Sequence, residues 1–406
     1  MKLKKLNMTY KIMIAMILGV IVGTIGREKV EGIKILGDVF LRLIQMSIIF
    51  LVMGQIIEAV GNLNPKELGK QGIKVISIFF ATSVLAAIVG IIFAFIFKPG
   101  MGLKISSISN IDAFKDAKIG TISELFLGFF SSNIVKSMSD GVIVQVIIFA
   151  ILFGLALSFY RSENTESKLI SIISEFNNVI LKMISLIMKI APIGIFSLIT
   201  STIGQNGIDV VIPLSKYILI YALATLIYLL IFFVISASYC KINLISLIKG
   251  MFGISVMALA TTSSAVTLPT EMKDAKEKLG ISENVNKLVL PLGMSLNSNG
   301  SAMHMAFTII TISQIYNITY SPSQYAYIAI LATLISLANA VVPGAGLISL
   351  AIIVPQLGLP LEAVAIFAGV EWFVGMLRTI LNVDSDTLTA LIVAKGSNDI
   401  DYSVYR

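Results

Sequence analysis

The chain has 406 residues, of which 56% are hydrophobic and only 13% are charged, and its formal net charge is +7. A mean hydropathy of +0.93 lies outside the usual range of soluble domains and predicts a polytopic membrane protein. The single cysteine, Cys240, excludes an intrachain disulfide and a cysteine-based metal site. The positive charge is scattered among loops, which favours a role in topology and lipid contact over nucleic-acid binding.

Eight apolar segments are long enough to span a bilayer, which requires about 20 residues of helix. They lie at 10–26, 35–61, 72–97, 122–159, 168–202, 208–239, 284–315 and 362–395. A basic amino end precedes the first segment and predicts a cytoplasmic start by the positive-inside rule. A cleavable signal peptide is the alternative, but Gly19, Gly23 and Gly26 lie in a span that continues without a cleavage pattern.

Two intervals between the apolar segments predict surface loops. Residues 98–124 contain turn residues without a periodic apolar face, and residues 161–168 are short and charged. The first half of the chain is otherwise long apolar helix, whereas polar residues inside apolar segments are concentrated in the second half. We therefore expect scaffold in the first half and the functional residues in the second.

Two short runs place Ser, Thr, Pro and Gly inside strongly apolar sequence, TTSSAVTLP at 261–269 and VVPGAGL at 341–347. Backbone that leaves the helix at membrane depth survives only where protein or a water-filled cavity satisfies its polar groups. Free N–H groups at half-helix starts attract anions, so both breaks predict ligand contacts. Helix capping by Ser263 and Ser264 is the alternative for the first run. The doubled arrangement predicts an inverted repeat around a midplane site.

The segment PLGMSLNSNGSAMHM at 291–305 has Gly and Asn where an apolar helix would be uniform. Gly costs roughly 1 kcal/mol relative to Ala inside a helix, so an unwound turn is expected. Freed carbonyls, with the amides of Asn297 and Asn299, are suited to a dehydrated cation. Close helix packing through Gly300 and Ala302 is the alternative interpretation.

Polar residues of the last helix recur at three- or four-residue spacing and therefore share one helical face. They are Glu371, Arg378, Thr379, Asn382 and Asp386, and Gly375 lies on the same face. Because a charge deep in a bilayer is costly unless paired, such residues predict function. Arg378 has a planar fork suited to a carboxylate, and Asp386 with Asn382 offers oxygen ligands for a hard monovalent cation. The alternative is a Glu371–Arg378 pair that only pins helices.

His304 permits two further hypotheses. It could relay protons, or it could form a Ser–His pair with Ser263 or Ser264 in an intramembrane hydrolase. A packed histidine between Met303 and Met305 is favoured, because no sequence feature places its ring beside either serine.

With these motifs the chain resembles the dicarboxylate/amino acid:cation symporter family, the glutamate transporter homologues, over nearly its whole length. TTSSAVTLP is similar to the serine-rich first hairpin tip, NSNGS to the NMDGT motif, VVPGAG to the second hairpin and RTILNVDSD to the RTxxNVxGD helix. The resemblance implies an all-α polytopic membrane protein with eight transmembrane helices plus two re-entrant helical hairpins. The implied fold is an inverted-repeat, glutamate-transporter-like elevator, assembled as a homotrimer in the cell membrane.

The same resemblance implies a division into scaffold and transport domain. Scaffold helices 1 and 2 would occupy 1–71, transport-domain helix 3 would occupy 72–98, and an extracellular loop with scaffold helices 4 and 5 would occupy 99–205. The rest of the transport domain would occupy 206–406, with hairpins at about 243–280 and 323–358 as inverted-repeat elements.

Roles of single residues also follow from the resemblance. Arg378 would hold the distal carboxylate of the substrate. The other implied substrate positions are Ser263, Ser264, Ser301, Val342, Gly346, Gly375, Thr379 and Asn382. The implied sodium positions are Gly293, Ser295, Asn297, Ser298, Asn299, Asn382 and Asp386, with Thr82 and Ser83 at a third site.

The chain departs from the family pattern at three places. Asn299 replaces the motif Asp, which removes a carboxylate from the third cation site and predicts a lower coupling stoichiometry. Gly375 replaces the Asp that pairs with the substrate ammonium in amino-acid carriers, which predicts a substrate without an amino group. His304 and Met305 stand where potassium-coupled animal relatives have Tyr and Glu, so potassium countertransport is not expected.

The sequence thus predicts a cation-coupled secondary symporter of small carboxylates, with C4-dicarboxylates favoured. Na⁺ is the expected coupling ion and H⁺ the alternative; no catalytic activity, no cofactor and no nucleic-acid partner are expected. Transport of aspartate or glutamate is the alternative within the class, because serines or water could receive an ammonium. A passive anion channel and a substrate sensor are the alternatives from other classes, although neither would use the cation-site residues.

Overall fold

Helices make up almost all of the computed structural model, which describes residues 8–62, 65–101, 127–128, 130–164, 167–206, 211–337, 345–368 and 370–405. Over these ranges the β pairing is one isolated antiparallel bridge between Ile281 and Ile400. The first-half helices are α1 (Met8–Gly26), α2 (Lys34–Gly61), α3 (Pro65–Phe97), α4 (Ile134–Ser139), α5 (Ile143–Glu163), α6 (Leu169–Met188) and α7 (Ala191–Asn206).

The second half begins with a 30-residue helix and continues with shorter ones. Its helices are α8 (Val211–Cys240), α9 (Leu244–Thr261), α10 (Ser264–Glu277), α11 (Glu283–Leu296), α12 (Asn299–Ile315), α13 (Pro322–Ser336), α14 (Ala345–Gln356), α15 (Ala363–Ala368) and α16 (Glu371–Ser397). Short 3₁₀ segments at Arg27–Ile33 and Tyr402–Tyr405 follow α1 and α16.

Five helices of the described chain are long and apolar enough to cross a membrane. They are Lys74–Phe97, Val144–Glu163, Leu169–Ile187, Leu214–Cys240 and Leu244–Thr261. An all-helical membrane protein is therefore confirmed, whereas the count of eight spans stays a prediction. The start of the chain lies outside the described residues, and α1 runs from Met8 through Gly26.

Several predicted spans are interrupted. The segment 122–159 contains α4 and α5, separated by a turn in which Gly141 takes a left-handed φ of +71°. The segment 168–202 breaks at residues 189–190 between α6 and α7, because Pro192 has no backbone N–H to donate to the carbonyl four residues earlier. The segment 362–395 contains α15 and α16, and Glu371 lies in the first turn of α16, where an acidic residue complements the helix dipole.

The two predicted loops have different outcomes. Residues 102–124 of the first loop lie outside the described residues. The second loop is shorter than predicted, because α5 continues to Glu163 and its last turn is capped by the backbone N–H of Asn164, which donates to Tyr160 O at 2.9 Å.

The helices pack in two groups. In the first half, α1 packs on α7, and α2 packs on α5, α6 and α7. In the second group, α12 packs on α3 and α13, while α16 packs on α8, α9, α11 and α12. Thus α3 joins the second-half helices although it is encoded early in the chain. Residues 299–313 of α12 are all buried, so its polar motif lies in the core of this group.

Glycines allow α3 to approach α12 closely. A Cβ built on Gly90 would lie 2.7 Å from the backbone oxygen of Met303. This contact brings α3, with Thr82 and Ser83, against the first turns of α12. Small residues at helix contacts commonly serve this purpose in membrane proteins.

Gly90→Ala is expected to lower the temperature of thermal unfolding in detergent, because the added methyl must push backbone aside at a cost of about 1–3 kcal/mol. Gly32→Ala is the matched control, since nothing lies within 4 Å of a Cβ at that position. Equal unfolding temperatures for the two variants would contradict a close α3–α12 contact.

Candidate functional site

An interruption between α11 and α12 places backbone carbonyls and amide side chains in the core. Helix α11 ends at Leu296, Asn297 has extended backbone with φ −111° and ψ 110°, and α12 begins at Asn299. Pro291 lies inside α11, where it removes one backbone N–H from the helix. The unwound turn predicted for this segment is confirmed.

Asp386 of α16 meets this interruption. Its Oδ1 accepts a hydrogen bond from Asn297 Nδ2 at 2.6 Å, and both residues are 1% exposed. A Cβ on Gly293 would lie 2.6 Å from the Asp386 carboxylate, so only glycine permits this approach. Asp386 Oδ2 has no hydrogen-bond partner among the described residues. A buried carboxylate oxygen without a donor is a suitable ligand for a hard cation.

A second polar group forms where α3 meets the same interruption. Asn299 Oδ1 lies 2.6 Å from Ser83 Oγ and 3.4 Å from Thr82 Oγ1, and Ser83 Oγ is 3.4 Å from Asn297 Oδ1. Tyr228 of α8 donates its hydroxyl to Thr82 O at 2.8 Å. The residues expected at the third cation position therefore lie together. Here a neutral amide oxygen accepts from the Ser83 hydroxyl, whereas the single proton of the Thr82 hydroxyl has a nearer acceptor in Ile78 O at 2.9 Å.

The amino end of α12 lies directly on α16. Gly300 N donates to Asn382 Oδ1 at 2.7 Å, and a Cβ on Gly300 would lie 2.2 Å from Arg378 O. Ser301, in the same turn, is buried. Thr379 Oγ1 donates to Gly375 O at 2.8 Å, so this hydroxyl is engaged with its own helix.

Arg378 and Glu371 form an ion pair beside these contacts. Arg378 Nη1 donates to Glu371 Oε1 at 2.9 Å, and Gly346 N donates to the same oxygen at 3.0 Å. Arg378 is 5% exposed and Glu371 is 8% exposed. The Glu371–Arg378 pair anticipated as one interpretation of the sequence is therefore present, and it includes the amino end of α14.

The first predicted break is confirmed between α9 and α10. Thr262 adopts a left-handed φ of +50°, and Ser263 is extended and accepts from Val266 N at 3.4 Å as the N-cap of α10. The capping interpretation of Ser263 is thus confirmed, and its hydrogen bonds to described residues stay within this pair of helices. Ser264 begins α10 and is partly buried.

The second predicted break lies largely outside the described residues. Positions 338–344, which include the predicted contact Val342, are not among the described residues. The described chain resumes at Ala345 with α14, and Gly346 is buried in its first turn. Gly346 is therefore the part of this motif that the structure brings to Arg378.

Two serines of the predicted cation set, Ser295 and Ser298, make local contacts at the end of α11 and the start of α12. Ser295 Oγ donates to Pro291 O at 3.1 Å, within α11. Ser298 is buried, and its backbone carbonyl accepts from Ala302 N at 2.9 Å. The structure therefore joins Asn297 to Asp386, and Asn299 to Asn297 through Ser83, whereas the Ser295 hydroxyl is engaged within α11.

His304 is packed in the core of α12. Neither ring nitrogen has a hydrogen-bond partner among the described residues, and the ring meets Tyr221 edge-on with centroids 5.7 Å apart. No described serine hydroxyl therefore pairs with it, so the geometry gives no support to a Ser–His nucleophile.

The structure also buries two carboxylates that the sequence analysis did not single out. Asp384 accepts from Ser255 Oγ at 2.9 and 3.0 Å, and Glu271 Oε1 accepts from Thr387 Oγ1 at 2.9 Å. Asp384 lies three residues after buried Leu381 and four before buried Leu388. An acid within this apolar stripe was the available sequence signal. Among the described residues, no group of three or more His, Cys, Asp or Glu could hold a metal ion.

Comparison with known proteins gives consistent matches over the whole chain. The model of a family described as the sodium:dicarboxylate symporter family matches residues 8–396. The chain is 32% identical over 405 residues to a proton/sodium-glutamate symport protein of Bacillus caldotenax, covering 97% of this chain and 95% of that protein.

Two further relatives carry different substrate names. A proton/glutamate-aspartate symporter of Escherichia coli (strain K12) is 30% identical over 418 residues, covering 99% of this chain and 95% of that protein. A C4-dicarboxylate transport protein of Bacillus subtilis (strain 168) is 30% identical over 407 residues, covering 99% of this chain and 96% of that protein. Similar identity to both kinds of carrier leaves the choice of substrate to individual residues.

Proposed function

The chain belongs to the sodium:dicarboxylate symporter family and is a membrane transporter rather than an enzyme, and on this premise we propose that it couples C4-dicarboxylate transport to a sodium gradient. The family and its relatives support the broader activity, which is cation-coupled symport of dicarboxylates or acidic amino acids.

The proposed substrate site centres on Arg378. Its buried guanidinium is a planar donor suited to a carboxylate, and the amide of Gly346 adds a donor at the amino end of α14. Ser264, Ser301, Thr379 and Asn382 are proposed to contact the rest of the substrate, and Ser263 and Val342 are assigned to the same site by the family pattern. A small dicarboxylate suits such donors.

The proposed preference for dicarboxylates rests on Gly375, which has no side chain. It lies one turn before Arg378, and a Cβ at this position would have Arg378 Nη2 as its neighbour at 3.8 Å. The position therefore supplies no carboxylate for a substrate ammonium. Glu371 is engaged with Arg378, and Asp386 is engaged with Asn297. A buried ammonium without a partner is strongly disfavoured.

The proposed coupling ion is Na⁺. Asp386 with the oxygens of Asn297, Asn382 and Gly293 offers the carboxylate, amide and carbonyl ligands that hard cations prefer. Ser295 and Ser298 are proposed to contribute to a second position. The third position, at Thr82, Ser83 and Asn299, has an amide in place of a carboxylate, which supports a lower stoichiometry. H⁺ is the alternative coupling ion.

The two packing groups support an elevator mechanism. Segments 1–71 and 99–205 are proposed as the scaffold, and segments 72–98 and 206–406 as the transport domain, because α3 packs with the second-half helices. The helix pair α9–α10 and the segment containing α13 and α14 are proposed as re-entrant hairpins. A homotrimer in the cell membrane, with a cytoplasmic amino terminus, completes the proposal.

Transport of aspartate or glutamate is the second candidate. Relatives named as glutamate or glutamate-aspartate symporters favour it, and Glu371 lies one turn from Gly375. A passive channel and a sensor have less support, because a buried carboxylate such as Asp386 beside an unwound turn has no evident role in either.

The direct test measures uptake of labelled succinate and labelled aspartate into proteoliposomes, with and without an inward sodium gradient at matched pH. Sodium-driven accumulation of succinate above aspartate is expected. Arg378→Ala should abolish this accumulation, because the guanidinium that donates to the substrate carboxylate is lost. Equilibration without accumulation would indicate a channel, and binding without turnover would indicate a sensor. Uptake driven by a proton gradient in the absence of sodium would identify H⁺ as the coupling ion instead of Na⁺.

Gly375→Asp is expected to shift the ratio of aspartate to succinate uptake toward aspartate by about tenfold or more, because a new carboxylate can pair with the ammonium. The structure leaves room for a Cβ at this position, with Arg378 Nη2 at 3.8 Å. Gly375→Asn is the control of equal size without charge. If both variants keep the wild-type ratio, the missing carboxylate is not what discriminates between the substrates.

Asp386→Asn is expected to raise the sodium concentration for half-maximal uptake by about tenfold or more, because a charged ligand becomes neutral. Glu283→Gln is the control, since Glu283 forms exposed ion pairs with Lys276 and Lys287. An unchanged sodium requirement in Asp386→Asn would remove Asp386 from the cation site.

A further inference from the structure

Glu371 accepts two hydrogen bonds through one oxygen. Its Oε1 receives Arg378 Nη1 at 2.9 Å and Gly346 N at 3.0 Å. Glu371 and Arg378 lie two turns apart on α16, and the long arginine side chain leans toward the amino end of its helix and spans this distance. One internal carboxylate therefore joins the buried guanidinium to the first turn of α14.

The amino end of α14 rests directly on this pair. A Cβ on Gly346 would lie 1.9 Å from Arg378 Nη1 and 2.3 Å from Glu371 Oε1. The absence of a side chain permits the contact, and no space remains between α14 and Nη1 for another carboxylate. A carboxylate that engages Nη1 and the Gly346 amide must therefore take the place of Glu371.

We propose that Glu371 is a built-in competitor of the transported carboxylate, holding Arg378 and the first turn of α14 until the substrate displaces it. This inference rests on the proposed role of Arg378 as the carboxylate-binding residue. Glu371 is then a specificity-determining residue that sets how tightly any carboxylate binds. Its release also frees the Gly346 amide, which links occupation of Arg378 to the position of α14.

The geometry favours competition over joint binding. Two carboxylates on one guanidinium would repel each other in a buried, weakly screened environment. The internal contact is also weaker than a substrate contact can be, because Glu371 Oε2 has no partner among the described residues. A free carboxylate can engage arginine through both of its oxygens, which is the stronger arrangement.

The test compares Glu371→Gln with the wild type in binding and transport. Glutamine keeps an acceptor oxygen but loses the charge, so the internal contact weakens. The apparent dissociation constant and KM for succinate should fall about fivefold to tenfold. Those for aspartate should fall by the same factor, because both substrates displace the same group. Glu362→Gln is the control, since Glu362 is exposed just before α15.

Three results would overturn the inference. A higher KM would mean that Glu371 orients Arg378 for the substrate, and an unchanged KM would mean that the pair only joins helices. A change confined to aspartate would identify Glu371 as the partner of the ammonium. If Glu371→Gln fails to fold, Glu371→Asp serves instead, because its shorter side chain weakens the same contact. It should lower KM by a smaller factor.

A measurement without transport separates this inference from the proposed function. Amide hydrogen exchange in residues 346–350 should accelerate about tenfold in Glu371→Gln, because the first turn of α14 loses its charged acceptor. Exchange in α8 should stay unchanged. Unaltered exchange in 346–350 would overturn the inference even if succinate uptake is normal. Accelerated exchange without carboxylate uptake would instead refute the proposed function and leave the α14 contact established.

Discussion

A bilayer supplies no water to a buried charge, and this constraint governs the second half of the chain. Charged residues of α16 each obtain a partner from another element or from their own helix. Arg378 and Glu371 neutralise each other beneath α14, and Asp386 accepts from Asn297 at the end of α11. The polar face of α16 is therefore stable only while α11, α12 and α14 are packed around it.

Interrupted helices and glycines make these partnerships possible. The gap between α11 and α12 turns Asn297 toward Asp386, and the missing side chains of Gly293, Gly300 and Gly346 let three backbones approach α16. A methyl group at any of these glycines would collide with a carboxylate, a carbonyl or a guanidinium. The same features that reduce helix stability thus bring the candidate ligands together.

The proposed substrate preference depends on which charged side chains lack an ion-pair partner within the protein. Arg378 is neutralised by Glu371, and Gly375 has no acidic side chain, so neither Glu371 nor Gly375 would supply a free carboxylate to an ammonium in the proposed substrate site. The similar identity to glutamate carriers and to a C4-dicarboxylate carrier agrees with a shared scaffold on which single side chains select the substrate. Internal competition by Glu371 would act on both substrate types alike, because it acts at the carboxylate.

The sequence by itself determined the membrane class, the family, the break at Thr262–Ser263 and the unwound turn after Leu296, because hydropathy and helix-breaking residues are local properties. The helical face of α16 was also predictable from spacing. Only the tertiary structure decided that Gly346 shares Glu371 with Arg378, that Gly90 lies against Met303, and that Asp384 and Glu271 are buried. These contacts join residues of different helices, and their distances depend on helix packing rather than on local sequence.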